Sequence, residues 1–225
     1  MSAPLFGVYG ASGCGRGIMP LAREAVQWLG IAAGRLVFID DAASAQRING
    51  HAVMTYAEFL ACDASQRQAA LAVANSAVRE RLAKACAADG VALWSLTASN
   101  AVTMDEVTVG DGALILPFVT LTSNITIGRC FHANLYSYVE HDCRIGDFVT
   151  FAPGVHCNGN VVIEDHAYIG AGAVIKQGQP GKPLVIGRGA IVGMGAVVTR
   201  SVPPGVTVVG NPARLHKPSP SQAGG

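Results

Sequence analysis

The sequence predicts two units in tandem: an α/β unit over residues 1–95, then a solenoid of short parallel strands over 96–214. Three observations predict it. Strand-like and helix-like segments alternate as far as Leu96; an apolar residue then recurs at every sixth position; and most of the 27 glycines fall in the second half.

The chain of 225 residues is 50% hydrophobic and 14% charged, which excludes a disordered polymer and allows a sizeable core. A net charge of +1 gives no basis for a nucleic-acid or membrane-surface partner. There is no run of about 18 apolar residues. Met1–Gly10 has no basic leader and reads as the start of a mature domain. Cys14, Cys62, Cys86, Cys130, Cys143 and Cys157 show no CxxC spacing and read as reduced thiols, so a cytoplasmic location is expected.

In the first unit, residues 5–9 read as a buried strand, 10–17 (GASGCGRG) as a glycine-rich turn and 18–29 as an amphipathic helix. A second strand spans 36–39 and ends in Asp40-Asp41; 56–61 is a short helix, 70–74 a third strand, 76–88 a helix and 91–96 a further strand. This alternation implies a parallel sheet covered by helices. The turn can cradle a diphosphate on its N–H groups and on the following helix start. Its spacing is GxxGxG, not the GxGxxG dinucleotide fingerprint.

In the second unit the six-residue series runs from Val109 to Ile175 through twelve apolar positions without a slip. Small or apolar residues, with one Ser, stand two places before each. Gly, Asn or Glu often follows, as at Gly110, Gly128, Asn134, Glu140, Gly146, Asn158, Glu164 and Gly170. After a five-residue insertion at 179–183 the register resumes at Ile186, Val192 and Val198. A period of six suits a coil of short strands joined by bends, with one apolar residue per strand pointing inward and Gly or Asn taking the bend.

These hexads resemble the left-handed β-helix acyltransferases of the hexapeptide-repeat family. Gly10-Ala-Ser-Gly-Cys-Gly15 followed by Ile39-Asp40-Asp41, together with 138–147 (YVEHDCRIGD) and 208–214 (VVGNPAR), resembles the sialic acid O-acetyltransferase-like subgroup, which also contains nucleotide-sugar N-acetyltransferases. The resemblance implies a small Rossmann-like α/β nucleotide-sugar-binding domain (1–95), a left-handed parallel β-helix (96–214), a flexible tail (215–225) and a homotrimer with active sites between subunits. It also implies acetyl-CoA as co-substrate, with no permanently bound cofactor and no metal. Thr150 stands where the branch acting on UDP-linked 4-amino sugars carries a second histidine, which points instead to the GDP-perosamine N-acetyltransferase branch and a GDP-linked 4-amino-4,6-dideoxy sugar.

His141, two places past an apolar position, is expected near a bend, where an imidazole can take the proton of an attacking amine. Asp142 or Glu140 would hold its tautomer. The resemblance places Asn134 in the active site and the Gly159 N–H, 18 residues beyond His141, on the thioester oxyanion. Gly170, Gly189, Ala190 and Ala196 would make room for the pantetheine arm, with Arg200, Arg214 or Lys217 meeting its phosphates. Gly10, Ser12, Gly13 and Gly15 would hold the nucleotide-sugar phosphates, Asp40 and Asp41 its base or ribose, and Asn75 is a further contact. Cys143 and Cys157 fall in interior columns and are rejected as nucleophiles. Other readings are sialic acid O-acetylation, a silent sugar-nucleotide scaffold and a zinc hydratase. The last is disfavoured because His51, His132, His141, His156, His166 and His216 include no H-x4-H pair.

Overall fold

The computed structural model describes residues 2–216, so Lys217 and most of the predicted tail lie outside the described residues. The chain opens with β1 (Leu5–Tyr9), α1 (Gly13–Trp28), β2 (Leu36–Ile39), β3 (Arg47–Ile48), β4 (His51–Met54), α2 (Tyr56–Ala61), β5 (Arg67–Leu71), α3 (Ser76–Ala88) and β6 (Ala92–Leu93). They form one sheet, in the order β3-β4-β2-β1-β5-β6, parallel except for the β3–β4 pair. β1 and β2 are buried at every residue, as unbroken apolar strands covered on both faces should be. α1 turns Gly15, Ile18, Met19, Ala22 and Val26 to the sheet at helical spacing. Thr55 and Glu58 form a capping box on α2, and the Asn75 side chain accepts the Val78 N–H to cap α3.

Three sequence expectations need correction here. The third strand is Arg67–Leu71, so Asn75 is a helix cap and not a strand end. The predicted strand 91–96 is two strands: β6 ends the first sheet, and Leu96–Thr97 begins the solenoid. Val91, Trp94 and Leu96 are buried on either side of the break, so an apolar run could not reveal it. The β3–β4 hairpin was not foreseen, although Asn49 (φ 48°) and Gly50 (φ 82°) form the two-residue Asn-Gly turn that signals one.

From Leu96 the chain winds into a three-faced parallel β-helix. Strands 18 residues apart pair in register, as Tyr138 does with Thr120 and His156. The first face carries 96–97, 114–115, 132–133, 150–151, 168–169 and 191–192; the second 102–103, 120–121, 138–139, 156–157, 174–175 and 197–198; the third 107–109, 125–127, 144–145, 161–163 and 184–186.

Two interior columns fill this coil, not one. Ile115, Leu121, Ile127 and their successors are buried, and so are the residues two places earlier, from Ala113 through Val119, Ile125 and Phe131 to Ala173. The bend residue is also elsewhere than expected. The left-handed backbone falls three places after each apolar position, at Gly112, Phe118, Asn124, Cys130, Tyr136, Asp142, Phe148, Gly154, Asn160, His166 and Gly172. The glycines one place after the apolar residue are there for a different reason. A Cβ on Gly128 would lie 2.7 Å from the Asp147 backbone nitrogen, and one on Gly170 would lie 2.5 Å from that of Met194. They let successive coils stack.

The N-terminal unit packs against the first face and the corner preceding it. Leu96 and Leu114 share a core with Phe6, Ile18 and Trp94, while Cys130 and Phe148 share one with Phe59, Ala83 and Cys86. The second and third faces are left free of it.

Candidate active site

His141 and Asp142 lie at the corner between the second and third faces, just past the strand Tyr138–Val139. His141 Nδ1 lies 2.7 Å from Asp142 Oδ2, and both side chains are about half exposed. Asp142 therefore holds the imidazole, where the sequence left Asp142 and Glu140 as alternatives. That hydrogen bond, with the fields of Asp142 and Glu140 behind it, raises the imidazole pKa above its ordinary value. With Nδ1 tied to the carboxylate, Nε2 is left to act. Asp142 reaches the ring from a left-handed backbone position (φ 60°), which costs a non-glycine residue about 1–2 kcal/mol.

One coil on, Gly159 lies under the ring. A Cβ there would come 2.6 Å from His141 Cε1 and 2.7 Å from Nε2, so only glycine lets the imidazole lie flat on the next coil. The neighbouring N–H groups of Asn158 and Asn160 donate to Ile175 and His141 carbonyls, whereas the Gly159 N–H makes no hydrogen bond among the described residues. It is available to an incoming anionic oxygen.

Further along the same corner, the insertion opens a groove of about 640 Å³ lined by Lys176, Gln177, Gln179, Lys182, Thr199 and Arg200, among others. Lys176 and Lys182 were not picked out in the sequence. For Lys176 the signal was present: counting in eighteens from His141 and Gly159 arrives at residue 177, next to it, whereas Lys182 lies in the insertion that the period does not cover.

The other predicted acetyl-CoA residues do not gather there. Gly170 is at the corner between the first and second faces, and Gly189 is at the corner between the third and first. Ala190 and Ala196 are fully buried in the coil interior, so their small size serves core packing and their methyl groups meet no ligand. Asn134 also sits at the first-to-second corner, at the far end of the second face from His141. Its amide donates to the Phe151 carbonyl (2.7 Å), as Asn158 does to Ile175 (2.8 Å). It ties coil to coil, and within one chain it does not approach His141. Cys143 and Cys157 are buried in the interior, as predicted.

The glycine-rich segment leaves the C-terminal end of β1, but only 10–12 are a turn: from Gly13 the chain is already in α1, not in the turn expected over 10–17. Gly10 adopts φ 103°, and a Cβ on Gly15 would lie 1.7 Å from the Gly10 carbonyl oxygen, so both glycines are demanded by the turn itself. Gly13 faces open space, and Ser12, the N-cap of α1, makes no capping hydrogen bond with its hydroxyl. These two are free to meet a ligand. The turn rims a hollow of about 390 Å³ shared with Tyr9, Asp40, Asp41, Ala74 and Arg81. Both carboxylates already have partners. Asp40 accepts from the Ala11 and Ala42 N–H groups, and Asp41 from the Tyr9 hydroxyl and the Tyr56 N–H. They brace the turn.

A second hollow, of about 430 Å³, adjoins it at Ala74 and continues over the first face. Asn75, Glu80, Thr150, His166, Tyr168, Gly189 and Ile191 line it, which brings Gly189 and Asn75 together at a place the sequence did not suggest. Tyr168 and Ile191 belong to the outward-facing column of that face, which runs from Leu96 through Leu114, His132 and Thr150 and carries no charged residue at these positions. His141 lines neither hollow. Among the described residues, no cluster of three or more His, Cys, Asp or Glu side chains could hold a metal ion.

GDP-perosamine N-acetyltransferase of Escherichia coli O157:H7 is 49% identical to this chain over 217 residues, 96% of this chain and 98% of that enzyme. The chain belongs to the hexapeptide-repeat acyltransferase family that includes this enzyme. The model of the bacterial transferase hexapeptide (six repeats) matches residues 142–177. Among solved structures, WeeI from Acinetobacter baumannii AYE is 56% identical, with a TM-score of 0.93 over 95% of this chain and all of that one. The acetyltransferase domain of PglB from Neisseria gonorrhoeae FA1090, solved in complex with acetyl coenzyme A, is 28% identical, with a TM-score of 0.82 over 96% of this chain and all of that domain. This chain is therefore an acyltransferase.

Proposed function

We propose that this acyltransferase moves the acetyl group of acetyl-CoA to the 4-amino group of a GDP-linked 4-amino-4,6-dideoxy sugar, GDP-perosamine being the first choice. The observation that carries the reading is the His141–Asp142 pair lying over Gly159 in a chain so similar, end to end, to a GDP-perosamine N-acetyltransferase. His141 Nε2 accepts the proton that the sugar amine loses as it attacks the thioester carbon. The Gly159 N–H receives the oxyanion, and its collapse expels the CoA thiolate, which takes up a proton. No acyl-enzyme is needed. Direct transfer draws much of its rate from holding both substrates in line.

Acetyl-CoA lies along the His141 corner with its phosphates toward Lys176, Lys182 and Arg200. The nucleotide-sugar occupies the two hollows at the edge of the N-terminal unit, a small Rossmann-like domain (1–95) ahead of a left-handed β-helix (96–214). Ser12, Gly13 and the start of α1 meet the diphosphate. The hollows and His141 face different sides of one chain, so the working assembly is a homotrimer in which one subunit offers the sugar to its neighbour's histidine. That arrangement would also bring Asn134 into play from a second copy. Thr150 supports the GDP-linked sugar: it is buried, and it places no imidazole over the hollow.

Release of free CoA thiol tests the reading. Purified protein with acetyl-CoA should turn over with GDP-perosamine, more slowly with UDP-4-amino-4,6-dideoxy sugars, and not with sialic acid. Turnover with sialic acid alone would move the chemistry to O-acetylation; none with any acceptor would sink the reading.

A further inference from the structure

Arg79, on the first turn of α3, heads the large, fully buried side chains of the described residues and has no carboxylate partner among them. An isolated buried charge is strongly disfavoured unless hydrogen bonds replace its water shell. Here they do. Nη1 donates to the Val73 (2.7 Å) and Ala74 (3.1 Å) carbonyls, Nε to Cys130 (3.1 Å), and Nη2 to Phe148 (2.6 Å) and the Thr150 hydroxyl (2.9 Å). Burial lowers its pKa to about 10, which leaves it charged at neutral pH.

The acceptors come from two separate bodies. Val73 and Ala74 form the loop after β5, which lines the Gly10–Asp41 hollow and, through Ala74, the adjoining one. Cys130, Phe148 and Thr150 belong to the β-helix, and Thr150 lines the adjoining hollow from the opposite wall. One rigid fork thus spans both walls of the cleft. A lysine, with a single nitrogen, cannot reach three segments at once.

We propose that Arg79 is a positioning residue that sets the width and register of the nucleotide-sugar cleft by clamping the 73–75 loop to the coil at Thr150. This rests on the proposed acyltransferase reading, in which the sugar lies in that cleft and acetyl-CoA lies at another corner. The clamp therefore governs one substrate and not the other.

The test compares Arg79→Lys, which keeps the charge, with Thr150→Val, which removes one acceptor and keeps the guanidinium, in the full-length protein. The KM for the nucleotide-sugar should rise by about tenfold or more in Arg79→Lys and by less in Thr150→Val, while the KM for acetyl-CoA moves less than about twofold. In ligand-free protein, amide exchange at 73–76 and 148–151 should speed up in Arg79→Lys. A lowered melting temperature with the nucleotide-sugar KM unchanged would overturn the proposal, as would an equal rise in both KM values. Wild-type protein that turns over no nucleotide-linked amino sugar fails the underlying reading and the proposal with it. Wild-type turnover beside an unaltered Arg79→Lys KM fails the proposal alone.

Discussion

At the residue scale, the proposed site turns on one imidazole whose two neighbours do different things. Asp142 sets its charge state and Gly159 sets its place. His141→Ala should lower turnover by about 10²–10⁴, the range of a general base, as steady-state kinetics would show. A base works unprotonated, and this one has a raised pKa, so kcat/KM should climb with pH through a value above 6.5. Asp142→Asn removes the main cause of that shift, and the rise should move to lower pH. A profile that stays in place would exclude Asp142 as the partner. Gly159→Ala places a methyl group where the ring lies, and the exposed ring can swing aside. Activity should fall at least about tenfold while the melting temperature barely changes. Gly128→Ala, which meets Asp147 backbone, should instead cost about 1–3 kcal/mol of stability in denaturant melts. His141 was singled out in the sequence by its spacing from the apolar column together with the resemblance of the stretch 138–147. Its partner was not, because side-chain direction at a bend follows φ, and the left-handed turn at Asp142 is invisible to period counting.

At the element scale, the hexad is a unit of three parts: an inward pair two residues apart and a left-handed residue three places past the second of them. The inward series was legible because it is apolar. The left-handed position was not, since Phe118, Cys130, Tyr136, Phe148 and His166 occupy it along with glycine and asparagine. Packing carries that strain. Phe118 and Tyr136 stack with centroids 4.8 Å apart, and Phe148 stacks on His166 at 5.3 Å. Tyr136→Gly exchanges a stacking contact for a relaxed backbone and should be near neutral. Tyr136→Val loses the contact and keeps the strain, and should destabilise by about 1–3 kcal/mol, measurable by chemical denaturation. The Gly10–Gly15 turn shows the same limit. Its glycines were read as a phosphate cradle, yet Gly10 and Gly15 are required by backbone geometry, and only Ser12 and Gly13 are without a structural task.

At the scale of the whole molecule, both architectures and their order were legible, because their periods differ so sharply. The seam between them was not, because it is made by single residues drawn from distant segments. His132 lies in that seam, 3% exposed, with Nε2 lacking a partner. Burial, and then the Arg79 charge, push its pKa well below 6.5. The unfolded chain therefore binds a proton that the folded chain refuses, so stability should fall as pH drops below about 6.5. Thermal melts from pH 7.5 to 5 should show the decline, and His132→Gln should flatten it. A parallel decline in the variant would assign the effect elsewhere. The proposed homotrimer should elute at three times the 23.1 kDa chain mass in light scattering.

The stacking of coils has a consequence for reach. Successive strands of one face lie about 4.8 Å apart, so the coil axis is graduated like a ruler. His141 marks one division, Gly159 the next, and the basic groove at Lys176 the one after. The span from His141 to the basic groove, where the proposed reading puts the CoA phosphates, is thus a count of coils, about 10 Å for two. Removing 18 residues from between them would keep all three faces in phase and shorten the ruler by one mark. In the proposed reading, the donor length that fits would change in whole steps.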